Sequence, residues 1–144
     1  MNAYADTSFL LSLYGRDVHS PKADGVILKN RPTFFLTPFG EAEFANACEF
    51  RLFLKLWTAT EARAVRERFL SHLGSGVFQM EELSLEVWRT AVTLSRRHTA
   101  KLGTRTLDVA HVATALVLKP DAFCTFDERQ RKLARAEGLR VLPA

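Results

Sequence analysis

Residues 105–141 read RTLDVAHVATALVLKPDAFCTFDERQRKLARAEGLRV, and this stretch decides the fold. An apolar helix opens with Asp108 and ends before Pro120, because proline lacks a backbone donor and pushes the preceding residue out of the α region. A short apolar run then ends at Asp127, and a charged helical segment leads to a last apolar pair. Helix, strand, helix and strand in so few residues indicate a parallel crossover unit. In open α/β sheets the chemistry lies at the carboxyl ends of strands, which is where this pattern places Asp127.

Length and composition indicate an ordinary globular protein. The 144 residues predict a single domain over residues 1–144, and the 47% hydrophobic and 25% charged fractions are typical of that class. No apolar run reaches the about 18 residues of a membrane span, and the N-terminus does not resemble a signal peptide. Cys48 and Cys124 have no paired spacing, so a cytoplasmic protein with reduced thiols is expected. The net charge of +4 permits a polyanionic partner without requiring one.

The rest of the chain alternates short apolar runs with segments of helical periodicity. This alternation predicts an α/β domain with a mostly parallel sheet of about five strands, in which the N-terminal strand is central. Residues 99–104 are predicted to be a loop. Strands are expected near residues 3–5, 33–37, 77–80 and 122–126, and helices near 7–14, 21–29, 40–57, 58–73 and 84–98.

Three aspartates stand at strand ends or helix starts, namely Asp6, Asp108 and Asp127. Each one alone has an ordinary explanation. Asp6 and Asp127 suit the N-caps of the helices that follow, and Asp108 suits the first turn of its helix, where a carboxylate faces the macrodipole. Together they are harder to explain in this way, because all of them are expected at one edge of one sheet.

A fourth acid is expected on the third helix, from Glu41 or Glu43. Two residues on a helix are separated by about 200° of rotation, so both cannot point the same way. Glu41 lies in the first turn and is explained by the macrodipole. Glu43 lies deeper, among small and apolar residues, where a carboxylate needs a partner. The sequence therefore favours Glu43.

Converging buried acids repel each other unless a cation is present. No lysine or arginine is adjacent to Asp6 in the sequence, whereas Arg105 could pair with Asp108, three residues later. A divalent metal would neutralise the whole group. Oxygen ligands without a His/Cys cluster suit Mg²⁺ or Mn²⁺ rather than Zn²⁺, and such sites catalyse phosphoryl transfer.

Four motifs resemble those of the PIN domain family, and within it the VapC-type toxins of type II toxin–antitoxin pairs. They are ADTS at 5–8, EAEFANA at 41–47, LDVAHVATAL at 107–116 and TFDER at 125–129, in family order over nearly the whole chain. The resemblance implies a three-layer α/β/α fold and an Mg²⁺- or Mn²⁺-dependent endoribonuclease. Its products would carry a 5′-phosphate and a 3′-hydroxyl. The resemblance also assigns the metal ligands and catalytic acids: Asp6, Glu43 and Asp108, with Asp127 acting through water or a second ion.

Hydroxyl groups and arginines flank these acids. Thr7, Ser8 and Thr125 are placed either to orient the carboxylates or to cap helices. Arg105 and Arg129 are the best candidates for contacting RNA phosphates, although a solvated helix face explains either one. His111, one turn after Asp108, is expected to pack or to form hydrogen bonds rather than to catalyse.

The third helix is apolar nearly all round, with Phe50, Phe53 and Trp57 at helical spacing. Such a helix needs burial on two sides. The second cover is either the domain's own fourth helix or, as the resemblance implies, a small antitoxin segment or a second subunit. A homodimer or a toxin–antitoxin hetero-oligomer is therefore expected.

Two other functions are compatible with parts of the pattern. A non-catalytic RNA-binding relative is disfavoured because all four acid positions are filled. A phosphatase with Asp6 as nucleophile is disfavoured because the second acid typical of such enzymes is replaced here by Ser8.

Overall fold

A computed structural model describes all residues, 1–144, and its centre is a five-stranded parallel sheet of order β3-β2-β1-β4-β5. The predicted sheet is thus confirmed, and the N-terminal strand is its middle strand. The strands are β1 (Asn2–Ala5), β2 (Thr33–Leu36), β3 (Phe78–Met80), β4 (Ala122–Cys124) and β5 (Val141–Leu142).

Helices cover both faces of the sheet and complete a three-layer α/β/α fold. They are α1 (Thr7–Tyr14), α2 (Ser20–Asn30), α3 (Pro38–Phe53), α4 (Ala59–Leu73), α5 (Leu85–Leu94), α6 (Ala100–Leu102), α7 (Thr106–Leu118) and α8 (Glu128–Ala136). Helices α1–α4 pack on one face, and α5, α7 and α8 pack on the other. The central strand supplies both cores by alternation, since Ala3 and Ala5 face the first and Tyr4 faces the second.

The carboxyl ends of β1, β2 and β4 meet at one edge of the sheet, because the strands are parallel. Asp6 follows β1 directly, and its N–H donates to the Cys124 carbonyl at 3.0 Å. Thr37 follows β2 and caps α3 by accepting from the Gly40 N–H. This edge therefore receives the start of α1, the start of α3 and the segment before α8.

The predicted loop at residues 99–104 is wrong in its first part. A π-helical turn at Ser95–Thr99 continues α5, and Ala100–Leu102 adds one more short helical segment. Gly103, with φ of +64°, ends the helical run in the left-handed region that glycine tolerates. Residues 95–102 contain no proline or glycine, so no helix-breaking residue stands before Gly103. The helical run therefore continues up to that glycine. No helix in the chain is long and apolar enough to cross a membrane.

Helix α3 is covered by the domain only along one side. Its Phe44 and Cys48 are buried against α4, whose Phe69 ring lies 4.4 Å from that of Phe44. In the last turn of α3, by contrast, Phe50 and Phe53 are 54% and 77% exposed. Of the two covers considered for this helix, α4 is therefore present, and an apolar surface at Phe50 and Phe53 stays open.

Candidate active site

Asp6 is completely enclosed at the carboxyl end of the central strand. Its Oδ1 accepts from the Phe9 N–H at 2.9 Å, so Asp6, rather than Thr7 or Ser8, is the N-cap of α1. The Ser8 hydroxyl donates to Oδ1 at 2.7 Å, and the Thr125 hydroxyl donates to Oδ2 at 2.7 Å. Capping is compatible with metal binding in one residue, because three donors leave one of the about four lone pairs of the carboxylate free.

No lysine or arginine forms an ion pair with the Asp6 carboxylate. Burial raises the pKa of Asp6 above its ordinary value, although the nearby His111, the Phe9 N–H and the two hydroxyls oppose the rise. The negative charge is therefore held at a free-energy cost that polar contacts only partly offset. A bound cation would remove that cost, which is the strongest local indication of a metal.

Glu43 points into the edge and belongs to a chain of hydrogen bonds that crosses the sheet. Its Oε1 accepts from the Thr7 hydroxyl and lies 2.7 Å from His111 Nε2. His111 Nδ1 in turn lies 2.8 Å from the Tyr4 hydroxyl, and both of these side chains are 1% exposed. Burial raises the pKa of Glu43, but the bonds from His111 and Thr7 outweigh burial and hold it below its usual value.

The direction of this chain follows from the chemistry of its ends. The Glu43 carboxylate can only accept, so the hydrogen bond places a proton on His111 Nε2 and leaves Nδ1 of the neutral ring to accept from the Tyr4 hydroxyl. An imidazole that accepts at Nδ1 carries its proton on Nε2 and donates from there to Glu43. The Glu43 carboxylate is therefore fixed from two sides, by α1 through Thr7 and by α7 through His111.

Asp108 is 8% exposed in the first turn of α7. Its Oδ2 accepts from the backbone N–H of Arg105 at 2.9 Å, so the predicted pairing with Arg105 is made by the backbone and not by the guanidinium. Its Oδ1 lies 3.4 Å from Nε2 of the buried Gln130, whose Oε1 has no hydrogen-bond partner. Gln130 was not predicted, and no sequence signal distinguishes it from a surface glutamine on α8.

Asp127 is half-buried and caps α8 by accepting from the Gln130 N–H at 2.9 Å. The Thr125 hydroxyl accepts from the Asp127 N–H at 2.9 Å while it donates to Asp6. One hydroxyl group therefore links the first acid to the segment that carries the fourth. The three predicted hydroxyl residues all contact the acids or the backbone beside them.

The two predicted arginines remain free of ion pairs, whereas some of their neighbours do not. Arg105 and Arg129 are exposed beside Asp108 and Asp127. Arg97 pairs with Glu137 at 2.8 Å, and Arg131 donates to the Thr125 and Pro143 carbonyls. Arg97 and Arg131 therefore support the structure, whereas Arg105 and Arg129 are among the exposed basic residues that stay available to a ligand.

The donor set is chemically suited to a hard divalent cation, since it consists of carboxylate and hydroxyl oxygens. No three His, Cys, Asp or Glu side chains lie close enough together to form a metal-binding group in this arrangement. Asp6 is closed to solvent, so an ion would reach it only after a neighbouring side chain moves. Which acids hold the ion stays a prediction.

Comparison with known proteins gives one sequence family and several similar folds. VapC20 of Mycobacterium tuberculosis, described as a sarcin-ricin loop cleaving toxin, superposes with a TM-score of 0.70 at 17% identity over 95% of each chain. FitAcB from Neisseria gonorrhoeae gives 0.66 at 16% identity, covering 96% of this chain and 95% of the other. VapBC2 from Rickettsia felis, bound to a DNA fragment from its promoter, gives 0.65 at 14% identity, covering 98% and 97%.

At these identities the solved structures show a shared fold. No curated protein matches the chain in sequence. The sequence model of the PIN domain matches residues 3–136, which include all four predicted acids. The chain therefore belongs to the PIN domain family, as its motifs predicted.

Proposed function

We propose that this protein is a divalent-metal-dependent endoribonuclease and the toxin of a type II toxin–antitoxin pair. The observation that carries the proposal is the enclosed Asp6 carboxylate, which has no basic partner and lies at the carboxyl edge of a PIN domain sheet. The structural likeness to VapC20, which is described as cleaving the sarcin-ricin loop, supports RNA as the substrate class.

In this proposal Asp6, Glu43 and Asp108 hold Mg²⁺ or Mn²⁺, and Asp127 contributes through water or a second ion. When bound, such an ion lowers the pKa of a water and stabilises the charge that develops on the phosphodiester. The chain's own residues then position the reactants. Thr125 and Ser8 keep the Asp6 carboxylate in one orientation, as partners of ligands typically do.

Substrate phosphates would be held by Arg105 and Arg129, because both guanidinium groups are exposed at the edge that carries the acids. The same exposure makes them available to non-specific RNA. Their predicted role is therefore affinity rather than recognition of a particular base.

An antitoxin partner is proposed from the open side of α3. Beside the exposed Phe50 and Phe53, a groove of about 470 Å³ runs between α3 and α4, with Phe44, Cys48 and Phe69 in its floor. An apolar helix of an antitoxin would cover this surface. VapBC2, whose fold is similar, is described as bound to DNA from 'their' promoter, so it is an assembly of more than one protein, which supports a protein partner here. A homodimer of this chain is the other expected assembly.

The alternative is a PIN-like protein that binds RNA without cleaving it. We favour the enzyme, because all four acid positions of the family are filled and the enclosed Asp6 carboxylate has no lysine or arginine partner, which supports a metal ligand. The phosphatase alternative stays disfavoured, because Ser8 stands where such enzymes carry their second acid.

Cleavage of a structured RNA by the purified chain tests the proposal directly. We expect cleavage with Mn²⁺ or Mg²⁺, none after treatment with EDTA, and recovery when the ion is restored. Sequencing of the products should find 5′-phosphate ends. An RNA that is bound but stays intact with either ion, across a panel that includes ribosomal and transfer RNA, would establish the binding alternative instead.

His111 is expected to act on the reaction through Glu43. Replacing His111 with leucine removes the donor to Glu43, and the cleavage rate and the Mn²⁺ affinity should fall roughly tenfold to a hundredfold, the usual effect of losing a partner of a metal ligand. His111→Gln, which can place an amide N–H near the same position, should recover part of both. Unchanged Mn²⁺ affinity in a folded His111→Leu variant would limit His111 to packing.

A further inference from the structure

Besides the groove between α3 and α4, the protein has a cavity of about 470 Å³ at the C-terminal ends of α1 and α3. The acids lie at the N-terminal ends of the same two helices. Three arginines line the cavity, namely Arg16 after α1, Arg51 on α3 and Arg68 on α4. Trp57 forms part of its wall. The only acid in the lining is Glu61, whose carboxylate already accepts from the Thr58 N–H in the capping box of α4.

The positive charge of this cavity is only partly compensated. Arg16 pairs with Asp24 at 2.7 Å, but that pair is exposed, with side-chain exposures of 63% and 42%. Arg51 has no carboxylate partner and lies over the Trp57 ring at 5.5 Å. Arg68 has no carboxylate partner either and donates to the Tyr14 carbonyl. A volume of this size with three guanidinium groups suits a phosphate-bearing ligand.

The shape of the cavity depends on Gly15, the residue that ends α1. A Cβ atom at this position would clash with the indole ring of Trp57, so the glycine is what allows the ring to lie against the backbone there. The ring then supports Arg51 from below. Packing thus already restricts the Arg51 side chain, so ligand binding costs less side-chain conformational entropy.

The position of the cavity relative to the acids favours one kind of ligand. From Asp6 to Gly15 along α1, and from Glu43 to Arg51 along α3, the helical rise is about 12–14 Å. Both helices begin at the edge that carries the acids. A single RNA strand of a few nucleotides is long enough to cover this separation.

We propose that this arginine-lined cavity binds a backbone phosphate of the RNA strand, a few nucleotides from the bond at the acidic edge. The inference rests on the proposed ribonuclease function and adds to it a distal anchor for the substrate. It also defines a minimum length, because an RNA too short to span both positions loses the contact. A strand that reaches both sites is held in register against the acids.

Trp57 reports on the cavity, because the chain has only two tryptophans and the other, Trp88, lies on α5. In a Trp88→Phe background with EDTA present, we would titrate octauridylate and follow Trp57 fluorescence over a range of salt concentrations. We expect a saturable change. The Arg51→Gln variant should weaken binding about tenfold and lower the salt slope by about 0.7, the value for one phosphate contact on a single strand.

Arg16→Gln is the second variant, because an exposed side chain can be replaced with little risk to folding. Arg63→Gln is the matched control, since Arg63 is exposed on α4 and does not line the cavity. It should bind octauridylate as the parent does. If Arg51→Gln and Arg16→Gln bind octauridylate as tightly as the parent and Arg63→Gln do, the proposed phosphate anchor is wrong.

Three further ligands test whether the cavity binds an RNA strand, a small phosphate compound or an acidic protein segment. Inorganic phosphate and uridine monophosphate should bind at least about tenfold more weakly than octauridylate, because they lack the second point of contact. Binding as tight as the octamer's would overturn a strand anchor in favour of a small-ligand site. An octaglutamate peptide that changes Trp57 fluorescence when octauridylate does not would instead indicate an acidic protein partner.

The outcome is independent of catalysis. If the parent cleaves RNA with Mn²⁺ and Arg51→Gln leaves KM unchanged, the nuclease proposal stands and the anchor fails. If octauridylate binding depends on Arg51 while no RNA is cleaved with any ion, the anchor stands and the nuclease proposal fails.

Discussion

Asp6→Asn should abolish RNA cleavage and yet raise the stability of the metal-free protein. The activity should fall at least about a hundredfold, because removing a ligand is expected to exceed the tenfold to hundredfold effect of removing a ligand's partner. Asparagine keeps an oxygen for the Phe9 N–H, so α1 retains its N-cap. It removes the enclosed negative charge, which the native protein holds without a basic partner.

The pH dependence of this stability difference has a definite sign. The pKa of Asp6 is raised in the folded protein, so between the unfolded and folded pKa values the folded state binds more protons. Asp6 therefore destabilises the fold fully above its folded pKa; the penalty shrinks as the pH falls from that value and is gone below the unfolded pKa. The advantage of Asp6→Asn in the free energy of unfolding should be greatest at neutral pH and should shrink on acidification.

Thermal unfolding in EDTA measures this difference, and a gain of about 1 kcal/mol corresponds to roughly 4 °C in a domain of this size. Adding Mn²⁺ should raise the melting temperature of the native protein and leave that of Asp6→Asn nearly unchanged, because ligand binding to the folded state stabilises it. An Asp6→Asn protein that still cleaves RNA, or that gains as much stability from Mn²⁺ as the native chain, would remove Asp6 from the metal site.

The sheet and the edge that carries the acids could be predicted because their signals are local. Short apolar runs that end at an acid, such as the run before Asp127, indicate both a buried strand and the point where it stops. The alternation of strands and helices then requires parallel pairing, which brings the strand ends together. Burial does not separate Glu43 from Glu41, since both residues are partly exposed; the hydrogen bonds of Glu43 with Thr7 and His111 do.

The contacts between distant segments could not be predicted. Tyr4 and His111 are separated by 107 positions, and only the packing of α7 on the second face of the sheet brings them within 2.8 Å. The guanidinium of Arg105 was expected to neutralise Asp108, but the extended backbone at Arg105 presents its N–H instead. The arginine cavity joins the ends of three helices, and no periodicity within one helix indicates it.

The basic residues around the acids also could not be told apart from the sequence. Arg97 and Arg129 look alike in the sequence, as members of two basic clusters that flank the acids. In the structure Arg97 is occupied by Glu137, whereas Arg129 has no ion pair. Charge patterning therefore located the electropositive surroundings of the edge, and only the fold distinguishes the arginines that stabilise it from those left for a ligand.

Glu43→Gln and Glu41→Gln form a matched pair that tests the second acid of the site. The two residues are on the same helix, two positions apart, and each substitution removes one charge while nearly preserving shape. Glu43 is held by Thr7 and His111 at the edge that carries the acids. Glu41 instead lines the groove between α3 and α4, where its first-turn position stabilises α3 through the macrodipole.

Glu43→Gln should therefore lower the cleavage rate at saturating RNA by about a hundredfold or more and weaken Mn²⁺ binding in calorimetry, since a neutral amide is a poorer ligand for a hard cation. Glutamine can still accept from Thr7 and His111, so the fold and KM should change little. Glu41→Gln should cleave within about twofold of the native rate and lose only about 0.3–1 kcal/mol of stability. The reverse result, in which Glu41→Gln is inactive and Glu43→Gln is not, would make the hydrogen-bond chain from Tyr4 to Glu43 purely structural and would place the second ligand in the groove between α3 and α4.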